Sequence, residues 1–119
     1  MGSVYKATDA RTGRLVALKA MQGDATGSDL ARFEREARVL SSFSHPNVVA
    51  MLGFEVIEGL PIIVMEGVEG YTLLAVTRGD VRASMADRAR WMKEAALALA
   101  ALHESGIIHR DLKPANMMV

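Results

Sequence analysis

The chain has 119 residues, half of them hydrophobic, enough to bury the core of one small domain. Its 14 basic residues balance 14 acidic ones, so it lacks the basic excess of a general nucleic-acid binder, and with no cysteine it has neither disulfides nor thiolate chemistry. No apolar run approaches the ~20 residues that span a bilayer, and a cytoplasmic setting fits, which leaves room for a membrane anchor outside these residues.

Residues 4–8 read as a strand. Asp9 to Gly13 supplies turn chemistry, and 15–21 reads as a second strand, so the pair predicts a hairpin. A loop follows over 22–28. Residues 30–42 read as a helix, because Phe33, Ala37 and Leu40 recur on one face; Ser28 or Asp29 is placed to cap it. Glu36 falls on or beside that face, where a carboxylate needs a cationic partner. Ser44-His45-Pro46-Asn47 stops the helix. Residues 48–56 and 61–66 read as strands around a turn at Glu58-Gly59, and 67–70 as a connector. Two strand pairs and one helix make a small α+β unit. The sequence then turns alanine- and leucine-rich. Residues 85–105 form one long helix, apolar nearly all round and ended by Gly106.

The densest chemistry lies at the end. His109-Arg110-Asp111-Leu112-Lys113-Pro114-Ala115-Asn116 sets polar side chains between apolar flanks, Ile107 and Ile108 before and Met117 to Val119 after, which are expected to be buried anchors. A carboxylate at Asp111 can accept a hydroxyl proton. An ammonium at Lys113 can offset charge on a transferring phosphoryl group. The amide oxygen of Asn116 suits a hard cation such as Mg²⁺.

This segment resembles the catalytic loop of eukaryotic-type Ser/Thr protein kinases, H-R-D-L followed by Asn. Lys113-Pro114 resembles the Ser/Thr-specific branch. The resemblance continues through the chain in order. Val16-Ala17-Leu18-Lys19 is similar to the family's V-A-I-K strand, which implies that Lys19 holds the ATP phosphates and that Glu36 pairs with it. His45-Pro46-Asn47 matches the loop behind that helix. Val64 to Gly70 resembles the hinge, which implies Met65 as gatekeeper and the backbone of Glu66 and Val68 as readers of the adenine edge. Val4, Ala17 and Met118 fall where the family encloses the adenine ring. By the same resemblance Asp111 is the catalytic base, Lys113 stabilises the transferred phosphoryl, and Asn116 binds Mg²⁺. Arg110 is implied to answer to a phosphorylated activation loop.

The implied fold is a partial protein-kinase-like fold of the α+β class: residues 1–66 a small lobe without its first strand, 67–70 the hinge, 71–119 the start of a large lobe. Of the phosphate-covering pattern G-x-G-x-x-G-x-V only Gly2 and Val4 stand in the sequence, and no D-F-G follows Asn116. The 119 residues alone are therefore expected to be inactive and poorly soluble, with Trp91, Leu97, Leu99 and Leu102 incompletely covered. The parent protein is expected to transfer phosphate from ATP, with Mg²⁺, to Ser or Thr of a protein substrate. The alternative is a catalytically inactive kinase-like fragment that binds nucleotide or protein. The composition suits a bacterial source.

Overall fold

The computed structural model describes residues 3–21 and 27–119. Gly2 and most of the expected 22–28 loop lie outside the described residues. The chain divides into two compact units, Met1–Ser44 with Val49–Val68, and His45–Val48 with Glu69–Val119.

The first unit is an antiparallel sheet with one helix. Its strands are β1 (Ser3–Thr8), β2 (Leu15–Ala20), β3 (Met51–Ile57) and β4 (Leu60–Glu66), ordered β1-β2-β4-β3. The β1–β2 hairpin closes as its turn residues require. Asp9 accepts the Arg11 N–H at 2.9 Å through its carboxylate, and Gly13 takes a positive φ of 69°. The β3–β4 hairpin turns on Glu58 and Gly59, both with positive φ, which gives a two-residue connection matched to the twist of the strands. β3 starts later than the sequence suggests because Val48 donates its N–H to the His45 carbonyl at 3.1 Å, closing a turn where a strand was expected.

Helix α1 (Gly27–Ser41) follows the Phe33, Ala37, Leu40 stripe, with Ala37 buried. It begins earlier than expected, so Ser28 and Asp29 lie in its first turn and neither occupies the capping position. Phe33 packs on Phe54 of β3 with ring centroids 5.4 Å apart, tilted by 50°.

The second unit is helical. α2 (Leu73–Arg78) is a short helix that the hydrophobic pattern did not predict. Thr72 caps it by accepting the Ala75 N–H at 3.2 Å, and Gly79 ends it at φ 83°. Paired bonds from Gly79 N–H to Val76 O and from Asp80 N–H to Ala75 O complete the C-terminal cap. α3 (Met85–Glu104) matches the expected long helix and stops at Gly106, φ 74°. Leu73, Val76, Ala98 and Leu102 are buried, while Trp91 and Leu99 are half-buried and Leu97 is exposed.

A capping box opens α3. Ser84 Oγ accepts the Asp87 N–H at 3.0 Å, and the Asp87 carboxylate accepts from the Ser84 N–H at 3.3 Å and the Ser84 hydroxyl at 2.8 Å. These bonds, the Ser84 hydroxyl first, hold the Asp87 carboxyl below its ordinary value of 3.8. A depressed carboxyl stabilises the fold above pH 3.8 and loses that stabilisation as pH falls through its folded-state value. Ser84→Ala, which removes the cap, is expected to lower stability near neutral pH. Denaturant melts should show the gap between variant and parent narrowing below pH 3.8. A gap that does not change with pH contradicts the carboxylate's part in the cap.

Candidate functional site

Antiparallel pairing sets the first group of candidate residues. Val4 lies opposite Lys19, Lys19 opposite Ile63, and Ala17 opposite Met65. Directly paired residues share a face, as do residues two apart on a strand. Val4, Ala17, Lys19 and Met65 therefore stand on one face of the sheet. That face also carries Met51, paired with Met65, and Phe54, paired with Ile63. A bulge between Met51 and Gly53 keeps both on it, and through Phe54 the face receives α1. Lys19, Ala17 and Met65 are half-buried and Val4 is exposed.

Glu36 is the main departure from expectation. It is exposed, and among the described residues no ion pair joins it to Lys19. The groove between α1 and β3 is lined on the helix side by Glu34, Ala37, Arg38 and Ser41, and Glu36 does not enter it. Glu34, not Glu36, pairs with Arg38, at 2.7 Å. The helical spacing was right about the covered stripe, since Ala37 is buried and Phe33 packs on Phe54, but Glu36 stands at the edge of that stripe and stays exposed.

Glu66 closes β4 opposite Val16, and Val68 follows two residues later, both exposed. The Glu66 side chain, not singled out from the sequence, accepts the Ala50 N–H at 3.1 Å.

In the second unit the His109–Asn116 segment folds on itself. Arg110 has a positive φ of 64°, uncommon for a residue with a side chain, so the backbone kinks immediately before Asp111. The Asp111 N–H donates to His109 Nδ1 at 3.2 Å. Pro114–Asn116 forms a 3₁₀ turn, with the Asn116 N–H donating to the Lys113 carbonyl at 2.9 Å. That turn swings Asn116 back, and its Nδ2 donates to the Asp111 carbonyl at 2.8 Å and to Asp111 Oδ2 at 3.1 Å. Lys113 Nζ lies 3.2 Å from Asp111 Oδ1. Three side chains named from sequence thus meet at one carboxylate, each oxygen of which has a partner. With Nδ2 engaged, the amide oxygen of Asn116 remains as a hard donor.

The flanks are less buried than expected. Ile107, Met117 and Val119 are half-buried, but Ile108 is 67% exposed and Met118 39%. Hydrogen bonding does the anchoring instead. Tyr71 and Val119 exchange N–H···O bonds of 3.0 and 2.8 Å, and the Leu73 N–H donates to the Met117 carbonyl at 2.8 Å. Thr72 bridges Met118 in antiparallel register. The residues after Asn116 are therefore tied to the start of α2. Sequence reasoning missed this tie, although Thr72 three residues before Ala75, with Gly79 beyond, is a readable helix start and stop.

A model of the protein kinase domain family matches residues 1–119. The chain belongs to the protein kinase domain family. It is 40% identical to the probable serine/threonine-protein kinase PknB of Bifidobacterium longum over 130 residues, covering all of this chain and 19% of that protein. It is 41% identical to the serine/threonine-protein kinase pkn2 of Myxococcus xanthus over 122 residues, covering all of this chain and 14% of that protein. Among solved structures, Rad53 1–466 in complex with AMP-PNP is similar with a TM-score of 0.81 at 29% identity, over 99% of this chain and 31% of that one. This kinase chain therefore spans less than a fifth of the length of these two curated relatives. Its sheet, α1 and first large-lobe helices form the partial protein-kinase-like α+β fold expected from the sequence. These two curated relatives, a probable Ser/Thr kinase and a Ser/Thr kinase, are bacterial, in line with the source that the composition suggested.

Proposed function

We propose that this chain supplies the ATP-binding and catalytic-loop part of a kinase that moves phosphate from ATP to Ser or Thr of a protein substrate. The carrying observation is the convergence of Lys113 and Asn116 on the Asp111 carboxylate. Phosphoryl transfer asks the protein mainly for positioning and for offsetting charge. Asp111, oriented by Asn116 and by the kink at Arg110, accepts the proton of the acceptor hydroxyl. Lys113, already beside it, faces the charge that develops on the transferred group. The backbone of Glu66 and Val68 takes the adenine edge beside the gatekeeper Met65, Val4, Ala17 and Met118 take the adenine faces, Gly2 belongs to the cover of the phosphates, and Lys19 holds the phosphates.

Mg²⁺ fits this donor set through the free amide oxygen of Asn116, and when bound it supplies charge neutralisation on the phosphates. Among the described residues no cluster of three or more acidic or histidine side chains makes a metal site by itself. Asn116 would thus supply one ligand among several to the ion.

In this reading Glu36 reaches Lys19 only when nucleotide is bound. A double-mutant cycle in the full-length protein, with Lys19→Met and Glu36→Gln, should show a coupling of ~0.5–3 kcal/mol in kcat/KM for ATP. The same cycle on thermal stability without nucleotide should be additive, since the two groups do not meet in this structure. Additivity in kcat/KM would remove Glu36 from the nucleotide site.

A further inference from the structure

The end of β4 is held from both sides. Gly67 donates its N–H to the Leu15 carbonyl at 3.0 Å, and the approach is so close that a Cβ at Gly67 would collide with Leu15. On the other side the Glu66 N–H donates to the Ala50 carbonyl at 2.9 Å, and Glu66 Oε1 accepts the Ala50 N–H at 3.1 Å. Ala50 precedes the first residue of β3. The carboxylate therefore takes an amide just beyond the end of the strand and extends the tie by one bond. A glutamate at an exposed strand end is ordinarily only solvated. This one is spent on a backbone amide 16 positions away in sequence.

We infer that the Glu66 carboxylate is a positioning residue for adenine recognition: it holds the Glu66 carbonyl and the Val68 N–H in the register that reads the 6-amino edge of the base. The inference rests on the proposed function, in which those two backbone groups meet adenine. The carboxylate itself touches no nucleotide. Removing it lets the strand end shift, so discrimination between a 6-amino and a 6-oxo purine suffers more than turnover does. The amide oxygen of glutamine can accept the same N–H, so Glu66→Gln preserves the tie.

The test compares the full-length protein with its Glu66→Ala and Glu66→Gln variants, using ATP and ITP as phosphate donors. For Glu66→Ala we expect KM for ATP to rise roughly threefold to tenfold, the range set by loss of one hydrogen bond, with kcat within about twofold. The ratio of kcat/KM for ATP over ITP should fall by a similar factor, and Glu66→Gln should stay near the parent. A merely structural role would lower ATP and ITP use in parallel and leave the ratio unchanged, and that result overturns the inference. Equal impairment by alanine and glutamine overturns it too. A parent protein that uses ATP and ITP equally well refutes the adenine reading itself, a failure visible before any variant is measured. Amide exchange at Ala50, faster in Glu66→Ala and unchanged in Glu66→Gln, reports the tie independently of activity; equal rates in all three proteins contradict it.

Discussion

Asp111→Asn in the full-length protein is expected to slow phosphoryl transfer by about 10²–10⁴-fold, the usual contribution of a general base, while the Kd for ATP stays within about twofold. The split follows from where the side chain lies. The Asp111 carboxylate is bonded to Asn116 and paired with Lys113, both within its own segment. Asparagine preserves the volume and one acceptor oxygen, so the 3₁₀ turn and the Asn116 bond to the Asp111 carbonyl survive. What is lost is the ability to take a proton and the attraction for Lys113. Single-turnover kinetics with saturating ATP, alongside equilibrium nucleotide binding, separate the two quantities. Equal losses in rate and in ATP affinity would show that Asp111 acts through folding of the loop, not through the proton.

Gly70→Ala is expected to destabilise the protein by about 1–3 kcal/mol, through a backbone conformation that only glycine adopts cheaply. Gly70 has a φ of 144°, and a Cβ placed there would run into the carbonyl oxygen of Val119. That oxygen accepts the Tyr71 N–H, so the added methyl attacks the tie that holds the residues after Asn116. Rate and stability should therefore fall together. Gly79→Ala is the control. Its φ of 83° also disfavours alanine, but nothing lies within 4 Å of the added carbon, and the residue caps the end of α2 away from the Tyr71–Val119 pairing. It should cost about 1 kcal/mol and leave kcat near the parent value. Thermal unfolding and initial rates on the same preparations check both. Equal effects of the two substitutions would mean that the Tyr71–Val119 pairing does not support the loop.

Much of the architecture was legible because its signals are local. Four strands were readable between turn residues such as Gly13 and Glu58-Gly59, which fixed their connections. The stripe at Phe33, Ala37 and Leu40 gave α1, and the alanine-rich run closed by Gly106 gave α3. α2 escaped because six residues hold under two turns, too few for a periodicity to register; its evidence lay in the capping residues Thr72 and Gly79. The Ser84–Asp87 capping box was equally open to reading and was overlooked.

The site divides differently. The meeting of Asp111, Lys113 and Asn116 follows from a short segment whose proline-initiated turn brings its ends together. Sheet register likewise puts Val4, Ala17, Lys19 and Met65 on one face. The exposure of Glu36 was not legible, because helical periodicity picks out the covered stripe without saying how far its margin is buried, and Glu36 stands at that margin. Nor was the exposure of Ile108, whose apolar side chain suggested an anchor where backbone bonds from Tyr71 and Leu73 serve instead. The Glu66–Ala50 bond spans 16 residues, and no local pattern announces it.

The measurement that bears most directly on the central claim is the identity of the phosphorylated residue. The full-length protein is incubated with γ-labelled ATP, Mg²⁺ and a protein acceptor, and the labelled product is hydrolysed to its phosphoamino acids. The result expected is label on phosphoserine or phosphothreonine, dependent on ATP and lost to background with Lys113→Ala. Label that survives Lys113→Ala unchanged, or a protein that transfers no phosphate to Ser or Thr, would contradict a phosphoryl-transfer role for the Asp111, Lys113 and Asn116 cluster.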